Sequence, residues 1–181
     1  MNPEESGAPS AAPESAASDD DEPYQQMPQK DLGRVAVYVD WPNISRLMPK
    51  VDVNNLTEAL HERYHPKRLN VYVQGRDLRS VAHGSVISRA RMSHREHGPY
   101  KDVDPLIICD MAFSVNDFDS TVLVSGDSDF WYALQRLRHR EKRIVVHWPE
   151  PGAAQIYTRD YSPVIDYSSP LAALLIDSHA A

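Results

Sequence analysis

A single cysteine, Cys109, in 181 residues excludes an intramolecular disulfide and lends no support to an oxidising compartment. Its neighbours in "PLIICDMAF" are apolar, so a core thiol is expected. The chain also lacks any apolar run near the roughly 18 residues of a membrane span. The N-terminal "MNPEESGAPSAAPESAAS" has neither the positive start nor the apolar centre of a secretory signal. A soluble cytoplasmic protein with no membrane partner is the expectation. No G-x-x-x-x-G-K loop is present to cradle a nucleoside triphosphate. Nor does an Asp-x-Asp follow the first apolar run, where Asp40 is succeeded by Trp41 and Pro42, which disfavours phosphatases and phosphotransferases built on that pair.

What charge there is lies unevenly. The whole chain carries −7, but residues 1–30 hold seven acids and one base, a net of −6, leaving residues 31–181 nearly neutral at −1. That first stretch is rich in Pro, Ser, Ala and acids and shows no apolar periodicity, so it buries too little surface to offset the entropy of ordering. It reads as a disordered acidic tail. The remainder, residues 31–181, has the length and apolar content of one domain.

Within that domain, "RVAVYVD" (residues 34–40) is a β-branched run with no polar alternation, the pattern of a strand buried on both faces. Similar runs recur at "RLNVYVQ" (68–74), "STVLVSG" (120–126) and "RIVVHW" (143–148), with "PVIDY" (163–167) as a short fifth. Helical patterns lie between and after them: "VNNLTEALHERY", "VDPLIICDMAFS", "FWYALQRLRHR" and "PLAALLIDS". Residues 75–100 resist assignment. The alternation predicts an α/β three-layer sandwich with a mainly parallel central sheet. Oligomeric state is not legible.

Ligands in such sheets bind beyond the carboxyl ends of the strands, and Asp40 and Asp127 each close one. Asp129 stands near the start of the next helix and Asp104 opens the helix before "STVLVSG". Like charges gathered in this way are costly without a cation among them. Carboxylate oxygens suit Mg²⁺ or Mn²⁺ better than zinc, and such a centre activates water and stabilises a leaving oxygen in phosphodiester hydrolysis. Taken singly, each motif favours an ordinary turn: Asp127, Ser128 or Asp129 can cap the following helix, Pro42 can open one, and Asp104 suits a helix N-terminus. Their joint placement at strand ends favours the metal.

Three ordered motifs, "YVDWPN", "KDVD" and "VLVSGDSDF", followed by "LQRLRHREKRIVV", resemble the NYN domain, or LabA-like, family of the PIN-like nuclease superfamily. The family pattern is intact as Asp40 and Asn43, Lys101 and Asp104, and Ser125, Gly126, Asp127, Asp129 and Phe130. The resemblance spans about residues 34–148. It implies a PIN-like, Rossmann-like fold and a metal-dependent ribonuclease whose products carry a 5′-phosphate and a 3′-hydroxyl. Asp40, Asp104, Asp127 and Asp129 would then bind Mg²⁺ or Mn²⁺, with Asn43 completing the catalytic set and Ser125 and Ser128 supporting it. Asp110, six residues beyond Asp104, falls on another helix face. Two places where many relatives carry glycine hold Asp102 and the "REK" of residues 140–142 instead.

RNA is the expected partner. Between residues 61 and 101, nine Lys or Arg stand against three acids, and Lys101, Arg89, Arg91 and Arg95 are the phosphate-binding candidates there. Arg136, with Arg138, Arg140, Lys142 and Arg143, forms a second basic group. A solvated surface is the alternative for each. Tyr72, Tyr100 and Trp131 are candidates for base stacking or for the core, and His94 and His97 are read as surface residues rather than zinc ligands. The rival to an enzyme is a non-catalytic RNA-binding regulatory module with the same fold.

Overall fold

The computed structural model describes residues 32–73, 103–159 and 162–177. In chain order it contains β1 (Val35–Asp40), α1 (Trp41–Leu47), α2 (Val53–Tyr64), β2 (Arg68–Tyr72), α3 (Asp104–Phe113), β3 (Ser120–Val124), α4 (Trp131–Arg138), β4 (Arg143–Trp148), β5 (Tyr167–Pro170) and α5 (Leu171–Asp177). A single 3₁₀ turn, Ser128–Phe130, joins β3 to α4. The strands form one sheet in the order β2-β1-β3-β4-β5, and every pairing is parallel.

Burial on both faces explains the unbroken apolar strands. Val35, Val37 and Val39 of β1 pack with Leu56 and Leu60 of α2 and Leu171 and Leu174 of α5. Ala36 and Tyr38, pointing the other way, join Ile107 and Met111 of α3 and Leu134 and Leu137 of α4. The result is the three-layer α/β arrangement that the alternation of runs predicts.

Local chemistry sets the helix ends. Asp52 caps α2 by accepting from the backbone N–H of Asn54 at 2.8 Å and of Asn55 at 3.2 Å. At the far end of α4, Lys142 N–H bonds to the Leu137 carbonyl and Glu141 N–H to the Arg138 carbonyl, with Glu141 at φ +60°. This is a Schellman closure in which glutamate takes the left-handed position that glycine most often fills.

Three expectations need correction. The fifth strand is Tyr167–Pro170 and not residues 163–167. Val164 and Ile165 instead plug the core, while the Asp166 carboxylate accepts from Ile144 N–H at 2.7 Å and from Arg138 at 2.8 Å, holding that segment as a brace before the strand begins. Cys109 is exposed and not in the core. The buried stripe of α3 runs through Ile107 and Met111, and Cys109 lies about 200° round the helix from Ile107. Tyr72 belongs wholly to the core, donating to Asp110 at 2.6 Å, so it offers no stacking face.

One buried polar group has a consequence for stability. His147 of β4 is 2 % exposed, with Nε2 against the Tyr64 hydroxyl at 2.5 Å and Nδ1 against Ser169 Oγ at 2.9 Å. Burial, helped by the Arg63 charge, pushes the imidazole from 6.5 down to about 3. The unfolded chain therefore takes up a proton near pH 6.5 that the folded chain refuses. Stability from this group is complete above pH 6.5 and falls as pH drops towards 3, at up to about 1.4 kcal/mol per pH unit. Urea midpoints should accordingly fall between pH 7 and pH 5. His147→Phe should lower the plateau, because two hydroxyls lose their partner, yet flatten that slope. A slope equal to wild type in the variant would show that another group carries it.

Candidate active site

The strand order reverses direction between β1 and β3, since the chain leaves β1 for β2 on one side and returns to β3 on the other. The crevice beyond the carboxyl ends of those two strands is where this topology places ligands. Val39 pairs with Val124, so Asp40 and Ser125 emerge side by side from the sheet.

Asp40 is 3 % exposed and serves the fold and the site together. One carboxylate oxygen accepts from Asn43 N–H at 3.3 Å, capping α1 with Pro42 in its first turn, as the sequence "DWPN" predicts. The other accepts from the Ser125 hydroxyl at 2.8 Å. Asp127 N–H in turn donates to Ser125 Oγ at 3.1 Å, so Ser125 links the two carboxylate-bearing residues. Asn43 spans the same gap: its Oδ1 accepts from Gly126 N–H at 3.0 Å. Ser125 thus bonds the Asp40 carboxylate directly, whereas the Asn43 side chain reaches the backbone of Gly126.

The following turn is capped by the first of its three candidates. Asp127, in extended conformation, accepts from Asp129 N–H at 3.0 Å and is the cap, so neither Ser128 nor Asp129 plays that part. The 3₁₀ turn moves the helix start one turn earlier, and α4 then continues from Phe130 without a side-chain cap. Ser128 is exposed and its side chain makes no hydrogen bond among the described residues. Asp129 is exposed at the rim, while Asp104 is buried at the first residue of α3. The second oxygen of Asp127 has no hydrogen-bond partner among the described residues and is available to a ligand.

A residue that the motifs do not announce sits among these acids. Tyr157, fully buried, donates from its hydroxyl to the Asp127 carbonyl at 2.6 Å. Burial raises its pKa well above the usual range, and the charges of Asp127, Asp129, Asp104 and Asp40, in that order, raise it further. All four predicted carboxylates act in the same sense on this phenol, through their charge alone. Asp110 does not, being occupied with Tyr72.

No three His, Cys, Asp or Glu side chains among the described residues close on one point tightly enough to cage an ion. Mg²⁺ seldom needs that, because it keeps several waters and takes one or two carboxylates together with substrate phosphates. As a donor set, the carboxylate oxygens of Asp40, Asp104, Asp127 and Asp129 have the chemistry of a hydrated hard cation's ligands rather than of a dehydrated cage.

The sequence model of the NYN domain matches residues 34–167, nearly the whole of this sheet and both its helical layers. The chain belongs to the NYN domain family. No curated protein matches it. Among solved structures, a protein of unknown function from Vibrio parahaemolyticus superposes with a TM-score of 0.59. The two are 18 % identical, and the match covers 78 % of this chain and 94 % of that one, so the likeness is one of fold.

The basic residues of this NYN domain divide. Lys101, Arg89, Arg91 and Arg95 lie outside the described residues, as do Tyr100, His94 and His97. Arg136 is exposed on α4. Its neighbours turn elsewhere: Arg138 pairs with Asp166 at 2.8 Å, Lys142 donates to the Phe118 carbonyl at 2.7 Å, and Arg143 opens β4. These three stand at the opposite end of the sheet from Asp40, about 17 Å of strand away. They brace the fold rather than the crevice. Among the described residues no helix is long and apolar enough to cross a membrane.

Proposed function

We propose that the protein is a metal-dependent ribonuclease whose centre is the β1/β3 crevice. The observation that carries this reading is the Asp40–Ser125–Asp127 hydrogen-bonded chain at the switch point of a parallel sheet. Asp40 and Asp127 would hold Mg²⁺ or Mn²⁺, with Asp104 and Asp129 as further ligands directly or through water. When bound, that ion supplies charge neutralisation at the scissile phosphate and a more acidic water.

The protein's own part is orientation. Ser125 and Asn43 N–H occupy Asp40 from two sides and so fix the plane of its carboxylate. Asp129 N–H holds one oxygen of Asp127 and leaves the other turned to a ligand. Asn43 keeps Gly126, and hence the turn, at a constant distance from α1. Arg136, together with Lys101, Arg89, Arg91 and Arg95, would neutralise phosphates along the RNA, which makes binding salt-dependent and largely independent of sequence.

The open spacing of the acids favours the second reading, an RNA-binding module without turnover. Incubating the full chain with end-labelled RNAs in Mn²⁺, in Mg²⁺ and in chelator separates the two. Cleavage to 5′-phosphate and 3′-hydroxyl ends that stops on chelation is the expected result. RNA retention with no turnover under either metal would establish the binding module.

A further inference from the structure

The segment from Pro149 to Tyr157 follows β4 and has no counterpart in the three sequence motifs, yet it packs against the acid-bearing turn at several points. Ala154 N–H donates to the Gly126 carbonyl at 2.9 Å. A β-carbon on Gly126 would stand 3.0 Å from the Pro149 ring and 3.2 Å from the Ala153 backbone, so a larger residue would push the two stretches of chain apart by a few tenths of an ångström. The segment returns over α1, where Gly152, at φ +119°, passes against the Leu47 side chain. Tyr157 closes it, donating its hydroxyl to the Asp127 carbonyl at 2.6 Å.

Tyr157 is itself held at both ends. Its ring is part of the core beside α3 and α4, and its carbonyl accepts from Ser168 Oγ at 2.7 Å. The phenol is therefore a rigid strut between β5 and the main chain of Asp127. With Ser125 on the Asp127 N–H and Asp129 N–H on one carboxylate oxygen, the hydroxyl completes the fixation of that residue.

We propose that Tyr157 is a positioning residue for the metal centre, setting the direction in which Asp127 presents its open carboxylate oxygen, and that residues 149–157 are a structural half of the site. This inference rests on the ribonuclease reading. Groups that orient metal ligands from behind typically contribute 10- to 100-fold to metal affinity or activity. Tyr157→Phe keeps the ring in the core and removes only the hydroxyl.

The test is Mn²⁺ titration of the full-length chain, followed by calorimetry or by the electron paramagnetic resonance of free Mn²⁺, with RNA cleavage measured in parallel. Tyr157→Phe should weaken Mn²⁺ binding by about 10- to 100-fold and lower kcat, with the KM for RNA unchanged. Leu137→Ala, in the same core but remote from the segment, should lower the melting temperature and leave Mn²⁺ affinity at the wild-type value. Tyr157→Phe binding Mn²⁺ within about twofold of wild type would overturn the positioning role alone. So would an equal loss of Mn²⁺ affinity in Leu137→Ala, which would mark the effect as one of general stability. A wild-type chain that binds no Mn²⁺ would overturn the metal centre and this inference together.

Discussion

Asn in place of Asp40 or Asp127 is expected to remove metal-dependent RNA cleavage while the protein stays folded. The loss should be at least about 10²- to 10³-fold in kcat, the scale of deleting one preorganised electrostatic contact from an active site. Asn at position 40 keeps an oxygen to cap Asn43 N–H, and Ser125 can rotate its hydroxyl to accept where it now donates. At position 127 the carbonyl oxygen of Asn can still receive Asp129 N–H. The substitutions therefore remove negative charge with little change in shape. Initial rates at saturating Mn²⁺, set beside circular dichroism and melting curves, provide the check. Either variant cutting RNA within about tenfold of wild type would place the reacting centre elsewhere.

Phe130→Ala should produce the largest loss of stability near the site. Phe130 closes "SGDSDF", is fully buried, and is the residue by which the acid-bearing turn enters the core beside Ile107, Leu123, Leu134 and Tyr157. Truncating a buried phenylalanine costs about 3–5 kcal/mol through lost transfer energy and the cavity left behind. Against a total of roughly 5–15 kcal/mol, that leaves little margin for a domain of this size. Phe130→Leu, which keeps most of the volume, should cost far less. Urea unfolding at pH 7 measures both, and a loss under about 1.5 kcal/mol for the alanine variant would show that the turn is held mainly by the Pro149 to Tyr157 segment.

Much of the architecture was legible because the sheet is buried on both faces. Runs such as "VAVYVD" and "RIVVHW" can satisfy no other environment, and the strands they predict match Val35–Asp40 and Arg143–Trp148 closely. β5 escaped because "YSSP" is short and polar, and it becomes a strand only through pairing with β4. Cys109 was misplaced for a related reason: α3 is apolar nearly all round, so its sequence does not say which side is inward. At the site, Asp40, Asn43, Ser125 and Asp127 were readable as motif positions. Tyr157 was not, since it lies 30 residues from its partner in a segment without periodicity. Only the parallel return of the chain through β4 brings them together.

The hydrogen bond between Asp40 and Ser125 joins residues 85 positions apart in the chain. A ribosome adding roughly 5–20 residues per second needs about 4–17 seconds to cover that interval. Throughout it the emerging polypeptide has Asp40 without Ser125 and Asp127, and β1 cannot receive β3 until the later segment has left the exit tunnel. The crevice beyond β1 and β3 is therefore completed only late in synthesis.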